Sequence, residues 1–230
     1  MKYLMSLVAL LTLVLGCQAP ELKTESPETL GLYSHVYLQS AERMARNSSV
    51  KVVSALTGGH GSGTLFRVAN KTVVLTAKHV AREEHLPLYI QTPAGEVVDV
   101  DVIYREPEAD IAVLMPRGTI ITSEALSLRI KRLDPQYLVG MKSFYAGNPG
   151  HHTNVVIRGY FSGYEHGYLL MDTFAFFGAS GSTVFGYGGK VVGILTAVDN
   201  YYGEVLENMV WITPISKLNR KELVKAINKR

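Results

Sequence analysis

From Val50 to Ile215, short runs of Val, Ile, Thr and aromatic residues alternate with interruptions by Gly, Pro, Asn or Asp. Runs of this length and composition predict β-strands. Closely spaced short strands of this kind predict an all-β sandwich or barrel. The predicted strands are residues 50–56, 61–68, 71–77, 87–92, 96–104, 110–116, 141–147, 154–164, 168–174, 182–187, 190–198 and 208–215.

Two stretches outside this region have helical character. Residues 33–46 combine good helix formers with spaced apolar residues and predict an N-terminal helix. Residues 216–230 predict an amphipathic C-terminal helix, with Ser216 as its N-cap. Neither an internal repeat nor a second domain is evident from the pattern.

The N-terminus has the layout of a signal peptide. Lys2 precedes an apolar stretch at residues 4–15, which is too short to span a bilayer comfortably. Small Gly16 then precedes Cys17, the only cysteine in the chain, which cannot form an internal disulfide. An ordinary secretory signal with an incidental cysteine is the alternative interpretation.

Residues 14–17, Val-Leu-Gly-Cys, resemble the bacterial lipobox. The resemblance implies that residues 1–16 are removed and that the Cys17 sulfur receives a diacylglycerol. Residues 17–32, polar and proline-containing, would then be a tether from the membrane. Because Gln18 follows the cysteine, the resemblance to enteric lipoproteins implies the outer membrane, facing the periplasm, in a host that has one.

Charge and composition exclude several kinds of partner. The net charge is +3 and falls to +2 without Lys2, which is too small to indicate nucleic-acid binding. We find no phosphate loop or cofactor fingerprint and expect no cofactor. His151 and His152 are adjacent, and two neighbours on a strand would point to opposite faces. No Cys or carboxylate cluster accompanies them, so we expect a loop with two surface histidines and no metal site. The oligomeric state stays open.

Three residues whose side chains could take part in catalysis lie at the edges of predicted strands. His79 ends the run "VVLTAKH", Asp110 begins "DIAVLMP", and Ser180 lies in "GASGST". Alone, each has an ordinary structural explanation, such as a turn for the Gly-Ser stretch. The order His, Asp, Ser is one of the known orders of a catalytic triad, in which the histidine activates the serine and the aspartate orients the histidine.

The chain resembles the trypsin-like (chymotrypsin-fold) serine proteases, and most closely the bacterial HtrA/DegP-type branch. The segments that carry this resemblance are "GSGTLF", "LTAKHV", "DIAVL", "GASGS", "VVGILTAV" and "ITPISKL". It implies two six-stranded antiparallel β-barrels, at about residues 49–118 and 119–215, within one domain at 33–230. The chain differs from that branch in ending where a PDZ domain would begin, so we carry over only the protease domain.

The resemblance also implies a mechanism. His79, Asp110 and Ser180 would hydrolyse peptide bonds of protein or peptide substrates through an acyl-enzyme. Gly178 would let the backbone turn so that its N–H and that of Ser180 form an oxyanion hole. Ala179 replaces the Asp that pairs with a new N-terminus in the digestive enzymes, so we expect no activation of that type.

The resemblance further places a primary specificity pocket. Phe174, six residues before Ser180, would form its floor, and Thr196, Ala197 and Val198 would line its wall. None of these side chains is charged, so a buried Lys or Arg would lack a partner there. We therefore expect a shallow apolar pocket that prefers Val, Ala, Ile or Leu.

Two other functions remain open at this stage. A catalytically silent, lipid-anchored binding module could use the same fold, since fold does not fix function. An esterase would share the nucleophile chemistry, but the residues around Ser180 do not match the G-x-S-x-G motif of the esterase fold, and the order of the triad residues differs.

Overall fold

The computed structural model describes residues 40–121, 123–128, 134–201 and 204–230. The predicted signal peptide, Cys17, the tether and the first residues of the predicted N-terminal helix lie outside these ranges. Helix α1 is Ser40–Ser48 and helix α2 is Arg220–Asn228. Within the described ranges, no helix has the length and apolar character needed to cross a bilayer.

All twelve predicted strands are present, and the structure adds one short strand, β7, which has only two residues and no pattern to predict it. The strands are β1 Ser49–Ser54, β2 His60–Val68, β3 Lys71–Thr76, β4 Leu88–Gln91, β5 Val97–Arg105, β6 Ala112–Pro116, β7 Leu126–Ser127, β8 Lys142–Gly147, β9 Val155–Glu165, β10 Tyr168–Asp172, β11 Thr183–Phe185, β12 Val191–Tyr201 and β13 Glu204–Pro214.

The strands form two closed barrels. Strands β1 to β6 pair in the order β1-β4-β5-β6-β3-β2, and an antiparallel β1–β2 pairing closes this first barrel. Strand β7 adds to its outside, parallel to β2. Strands β8 to β13 close the second barrel in the order β10-β13-β12-β11-β8-β9. The predicted fold of two six-stranded antiparallel barrels is therefore confirmed.

Three apolar clusters explain why the barrels keep a fixed arrangement. One cluster fills the first barrel around Leu65 and Val74, and a second fills the other barrel around Phe161 and Met171. The third lies between the barrels and contains residues of both, together with the buried face of α2. Burying this third apolar surface stabilises the junction, and the edge of that junction carries the candidate site.

The C-terminal helix begins later than the sequence predicts. Ser216 lies in a 3₁₀ turn, Ile215–Lys217, and does not cap the helix. The N-cap is Asn219, whose side chain accepts a hydrogen bond from the backbone N–H of Glu222. The 3₁₀ turn uses the residues that the periodicity had assigned to the first helical turn.

Candidate active site

His79 lies in a short turn directly after β3, and this turn is tied to the segment that leads to Asp110. Backbone bonds Val80 to Ala77 and Ala81 to Lys78 form the turn. The ammonium of Lys78 donates to the carbonyl oxygen of Glu106 at 2.7 Å. The histidine turn and the segment preceding Asp110 are therefore held together.

The carboxylate of Asp110 contacts His79 through both oxygens. Oδ2 lies 2.7 Å from ring Nδ1, and Oδ1 accepts the His79 backbone N–H at 2.9 Å. Because a carboxylate accepts, Nδ1 carries the hydrogen, which leaves Nε2 with a lone pair. Burial would raise the pKa of Asp110, but the bonds from His79 and the charge of Lys78 outweigh it and lower that pKa.

Ser180 is held between the two barrels. Its carbonyl oxygen accepts the backbone N–H of Ser62, on β2, at 2.7 Å. Its hydroxyl donates to the carbonyl oxygen of Thr196, on β12, at 3.3 Å. Across the described ranges, no hydrogen bond joins this hydroxyl to His79, although the two residues line the same cavity. Contacts of this kind are often long before substrate binds.

The backbone around Ser180 leaves two N–H groups without partners. The N–H groups of Ala179, Gly181 and Ser182 donate to the carbonyls of Phe176, Leu195 and Ala179, respectively. In the part of the chain that the structure describes, no acceptor meets the N–H of Gly178 or that of Ser180. Both residues line the cavity beside His79, so these two N–H groups are available to donate to a bound molecule.

Gly178 and Gly181 both adopt positive φ angles, +95° and +91°, which side-chain-bearing residues rarely tolerate. A Cβ on Gly178 would lie 2.5 Å from the ring of His60 and 2.6 Å from the carbonyl oxygen of Asn148. A Cβ on Gly181 would collide with the backbone of Ser62. These two glycines therefore let the nucleophile loop approach the first barrel closely.

A cavity of about 250 Å³ opens beside Ser180 and His79. Three imidazoles and several apolar groups line it; its residues are Val52, Ser54, Thr57, Gly59, His60, Gly61, His79, Val80, His85, Phe177, Gly178 and Ser180.

Burial lowers the pKa of His60. The hydrogen bond between His60 and the Asn148 carbonyl opposes this shift, and the positive charge of nearby Lys51 adds to it. The ring of Phe177 is 72% exposed at this site.

The residues of the predicted specificity pocket do not line this cavity. The ring of Phe174 is 44% exposed, and Ala197 is exposed. The hydroxyl of Thr196 is engaged with that of Thr213 at 2.6 Å, and Val198 packs on the core of the second barrel. The assignment of these four residues to a specificity pocket stays a prediction.

Two other sequence interpretations can be compared with the structure. Ser182, the second serine of "GASGST" and the other hydroxyl that the motif offers as a nucleophile, is fully buried, so its side chain cannot reach a substrate in the cavity. His151 and His152 lie in an exposed turn with ring centroids 4.1 Å apart, which confirms the prediction of a loop with two surface histidines. Within the described ranges, no group of three or more His, Cys, Asp or Glu residues could hold a metal ion.

Sequence reasoning missed two residues near the site. Ser62 donates from Oγ to the carbonyl oxygen of Gly178 at 2.7 Å. Asn148, in "GNPG", donates from its backbone N–H to the same Ser62 oxygen at 2.9 Å. Their only sequence signals are those of ordinary turns and small-residue strands.

Comparisons with known proteins agree with this fold. A solved structure, the serine endoprotease from Yersinia pestis, is similar with a TM-score of 0.64 and 23% identity. The match covers 82% of this chain and 65% of that one, and it shows a shared fold. No protein of curated function matches the chain significantly. The family model of the trypsin-like peptidase domain matches residues 61–194, a segment that contains His79, Asp110 and Ser180. More than half of the chain fits that model, and the chain belongs to the trypsin-like peptidase domain family.

Proposed function

We propose that this protein is a serine endopeptidase that hydrolyses peptide bonds through an acyl-enzyme on Ser180. One observation carries the proposal: the N–H groups of Gly178 and Ser180, which meet no acceptor among the described residues, lie at the nucleophile, in a cavity shared with His79. An oxyanion formed at a substrate carbonyl supplies the missing acceptor.

The first half of the reaction forms the acyl-enzyme. The Ser180 hydroxyl turns from the Thr196 carbonyl towards Nε2 of His79, which takes its proton as the oxygen attacks the substrate carbonyl. The carbonyl oxygen becomes negative and accepts from the two free N–H groups. Asp110, bonded to Nδ1, stabilises the positive ring that results.

The second half releases both products. His79 gives its proton to the leaving amine as the C–N bond breaks, and the amine departs with the chain that follows the cut. Water then loses a proton to His79 and attacks the ester carbonyl. The second tetrahedral intermediate collapses, the proton returns to Ser180, and the free acid leaves.

The proposal extends to specificity. The uncharged side chains of Phe174, Thr196, Ala197 and Val198 favour Val, Ala, Ile or Leu before the cut bond. The preference is expected to be modest, because one methylene in such a pocket is worth about 1–3 kcal/mol. A peptide-library cleavage profile tests it, and a dominant preference for Lys or Arg would contradict the assignment.

We also propose that the domain is anchored to a bacterial membrane through a lipid on Cys17. Support comes from the residue pattern at the N-terminus, where a cation and an apolar stretch precede Val-Leu-Gly-Cys. Residues 17–32 would give the protease domain reach from the bilayer surface.

A fluorophosphonate probe tests the enzymatic proposal. The probe forms a covalent bond only with an activated serine, and intact-mass and peptide analysis would locate the adduct. We expect one adduct, on Ser180, that the Ser180→Ala and His79→Ala variants do not form. A folded wild-type protein that remains unlabelled would instead favour a silent binding module.

A further inference from the structure

Asn148 is buried between the barrels, with 3% of its surface exposed, and every polar group it has is used. Its Nδ2 donates to the carbonyl oxygen of Val50 at 3.1 Å and to Oγ of Ser62 at 3.3 Å. Its Oδ1 accepts the backbone N–H of Asn154 at 3.0 Å. Its carbonyl oxygen lies 3.1 Å from Nε2 of His60. Asn148 thus ties the β8–β9 connection to strands β1 and β2.

Ser62 carries this connection to the nucleophile loop. Its Oγ accepts from the backbone N–H and side chain of Asn148, and it donates its single hydrogen to the carbonyl oxygen of Gly178. A hydroxyl has one donor and two acceptor sites, so Ser62 is saturated. The carbonyl group of Gly178, whose N–H is one of the two oxyanion donors, therefore cannot rotate without breaking this buried hydrogen bond.

A second bond fixes the peptide on the other side of Gly178. The backbone N–H of Gly150, two residues after Asn148, donates to the carbonyl oxygen of Phe177 at 2.6 Å. The Phe177–Gly178 peptide is trans, so the N–H of Gly178 points away from that carbonyl. Holding the Phe177 oxygen therefore sets the direction in which the Gly178 N–H points.

We propose that Asn148 and Ser62 are positioning residues for the oxyanion hole. They hold residues 148–150 and the Gly178 carbonyl against the first barrel, and so fix the peptide whose N–H stabilises the oxyanion. Neither residue touches the reacting atoms. The inference rests on the proposed function, and it assigns to this pair a role that is distinct from the triad.

The test compares Asn148→Ala and Ser62→Ala with wild type on one peptide substrate. The two inhibitors are a peptide aldehyde, which forms a tetrahedral oxyanion adduct with the serine, and the matching peptide alcohol, which does not. We expect kcat to fall about 10²-fold, as misplacement of about 1 Å can cause, with KM changed little. The Kd of the aldehyde should rise by a similar factor, while that of the alcohol stays constant.

Two control variants separate positioning from general stability. Ser143→Ala removes another buried serine hydroxyl, one that makes no hydrogen bond in the described structure. Asn219→Ala removes the N-cap of α2 and lowers the melting temperature at a site outside the cavity. Both controls should keep wild-type kcat and aldehyde affinity. All variants are checked by thermal unfolding under the assay conditions.

The outcomes are distinguishable. If wild type forms neither a fluorophosphonate nor an aldehyde adduct, the proposed function fails and this inference fails with it. If wild type reacts, and folded Asn148→Ala and Ser62→Ala bind the aldehyde as tightly as wild type, only the positioning role is overturned. Equal weakening of aldehyde and alcohol binding would also overturn it, because that result indicates general disruption of the cleft.

Discussion

The carboxylate of Asp110 bridges the ring and the backbone of His79, with one oxygen 2.7 Å from Nδ1 and the other 2.9 Å from the main-chain nitrogen. This double contact sets the position of the histidine as well as its tautomer. The base is therefore oriented within the first barrel alone, and only the serine has to come from the second.

We predict that Ser180→Ala and His79→Ala abolish peptide hydrolysis while the fold is retained. Each change removes one member of the proton-transfer pair, and neither side chain supports a core cluster. Turnover assays and circular dichroism provide the measurements. Ser182→Ala is the control, since it removes a buried hydroxyl without a hydrogen bond and should keep activity. Wild-type turnover in either of the first two variants would refute the triad.

Asp110→Asn should lower kcat by about 10⁴, because an amide can donate to Nδ1 and so favour the tautomer that leaves Nε2 unable to accept a proton. The fold should persist, since the amide occupies nearly the same volume. Steady-state kinetics above pH 7 give the comparison. A decrease smaller than tenfold would mean that another group orients His79.

Asp110 should also make the free energy of unfolding depend on pH in the acidic range. Its pKa in the folded protein is lowered below the usual value of 3.8, so the unfolded chain binds a proton more readily. The stabilisation is complete above pH 3.8 and is lost as the pH falls through the lowered pKa. Urea unfolding between pH 5 and 2 should therefore show a steeper loss of unfolding free energy for wild type than for Asp110→Asn. Parallel curves would contradict this origin of the pKa shift.

Gly178→Ala should disable the oxyanion hole. The new methyl group would meet His60 and the Asn148 carbonyl, and the positive φ would be strained as well. Gly95→Ala is the matched control, since Gly95 has a φ of +86° and open space around it. Both variants should lose about 1–2 kcal/mol from backbone strain. Only Gly178→Ala should lose about 10²–10³ in kcat; an equal kcat in both variants would exclude a role for this N–H.

Cys17→Ser should release the protein from membranes or leave it as an uncleaved precursor. Stable anchoring requires more than one acyl chain, each buried CH₂ contributing about 0.8 kcal/mol, and the variant has no sulfur to carry them. Incorporation of labelled palmitate and fractionation of membranes give the readouts. Equal labelling of the variant and wild type would refute lipidation at this residue.

The barrels and the strand-edge residues could be predicted because both depend on local pattern. Alternating β-branched runs predict strands wherever they occur, and the His79 and Asp110 motifs are contiguous segments. The helix start was misplaced because Ser216 and Asn219 are both good caps, and only packing of the 3₁₀ turn selects the second.

The support of the oxyanion hole could not be predicted in this way. Asn148 and Ser62 are 86 positions apart, and the hydroxyl of Ser62 meets a carbonyl 116 positions away. Such bonds exist only after two barrels have closed and docked. An asparagine in a turn and a serine in a strand give no local signal that such hydrogen bonds will form.

The placement of the site across the barrel junction has a consequence for biosynthesis. His79 and Asp110 belong to the first barrel, Ser180 belongs to the second, and the turn that follows β8 must reach back to β2. Under the proposed function, a chain in which only the first barrel has formed has the catalytic base but not the nucleophile, and it cannot hydrolyse a peptide bond. A newly made molecule would thus remain harmless to itself and to its neighbours until folding is complete.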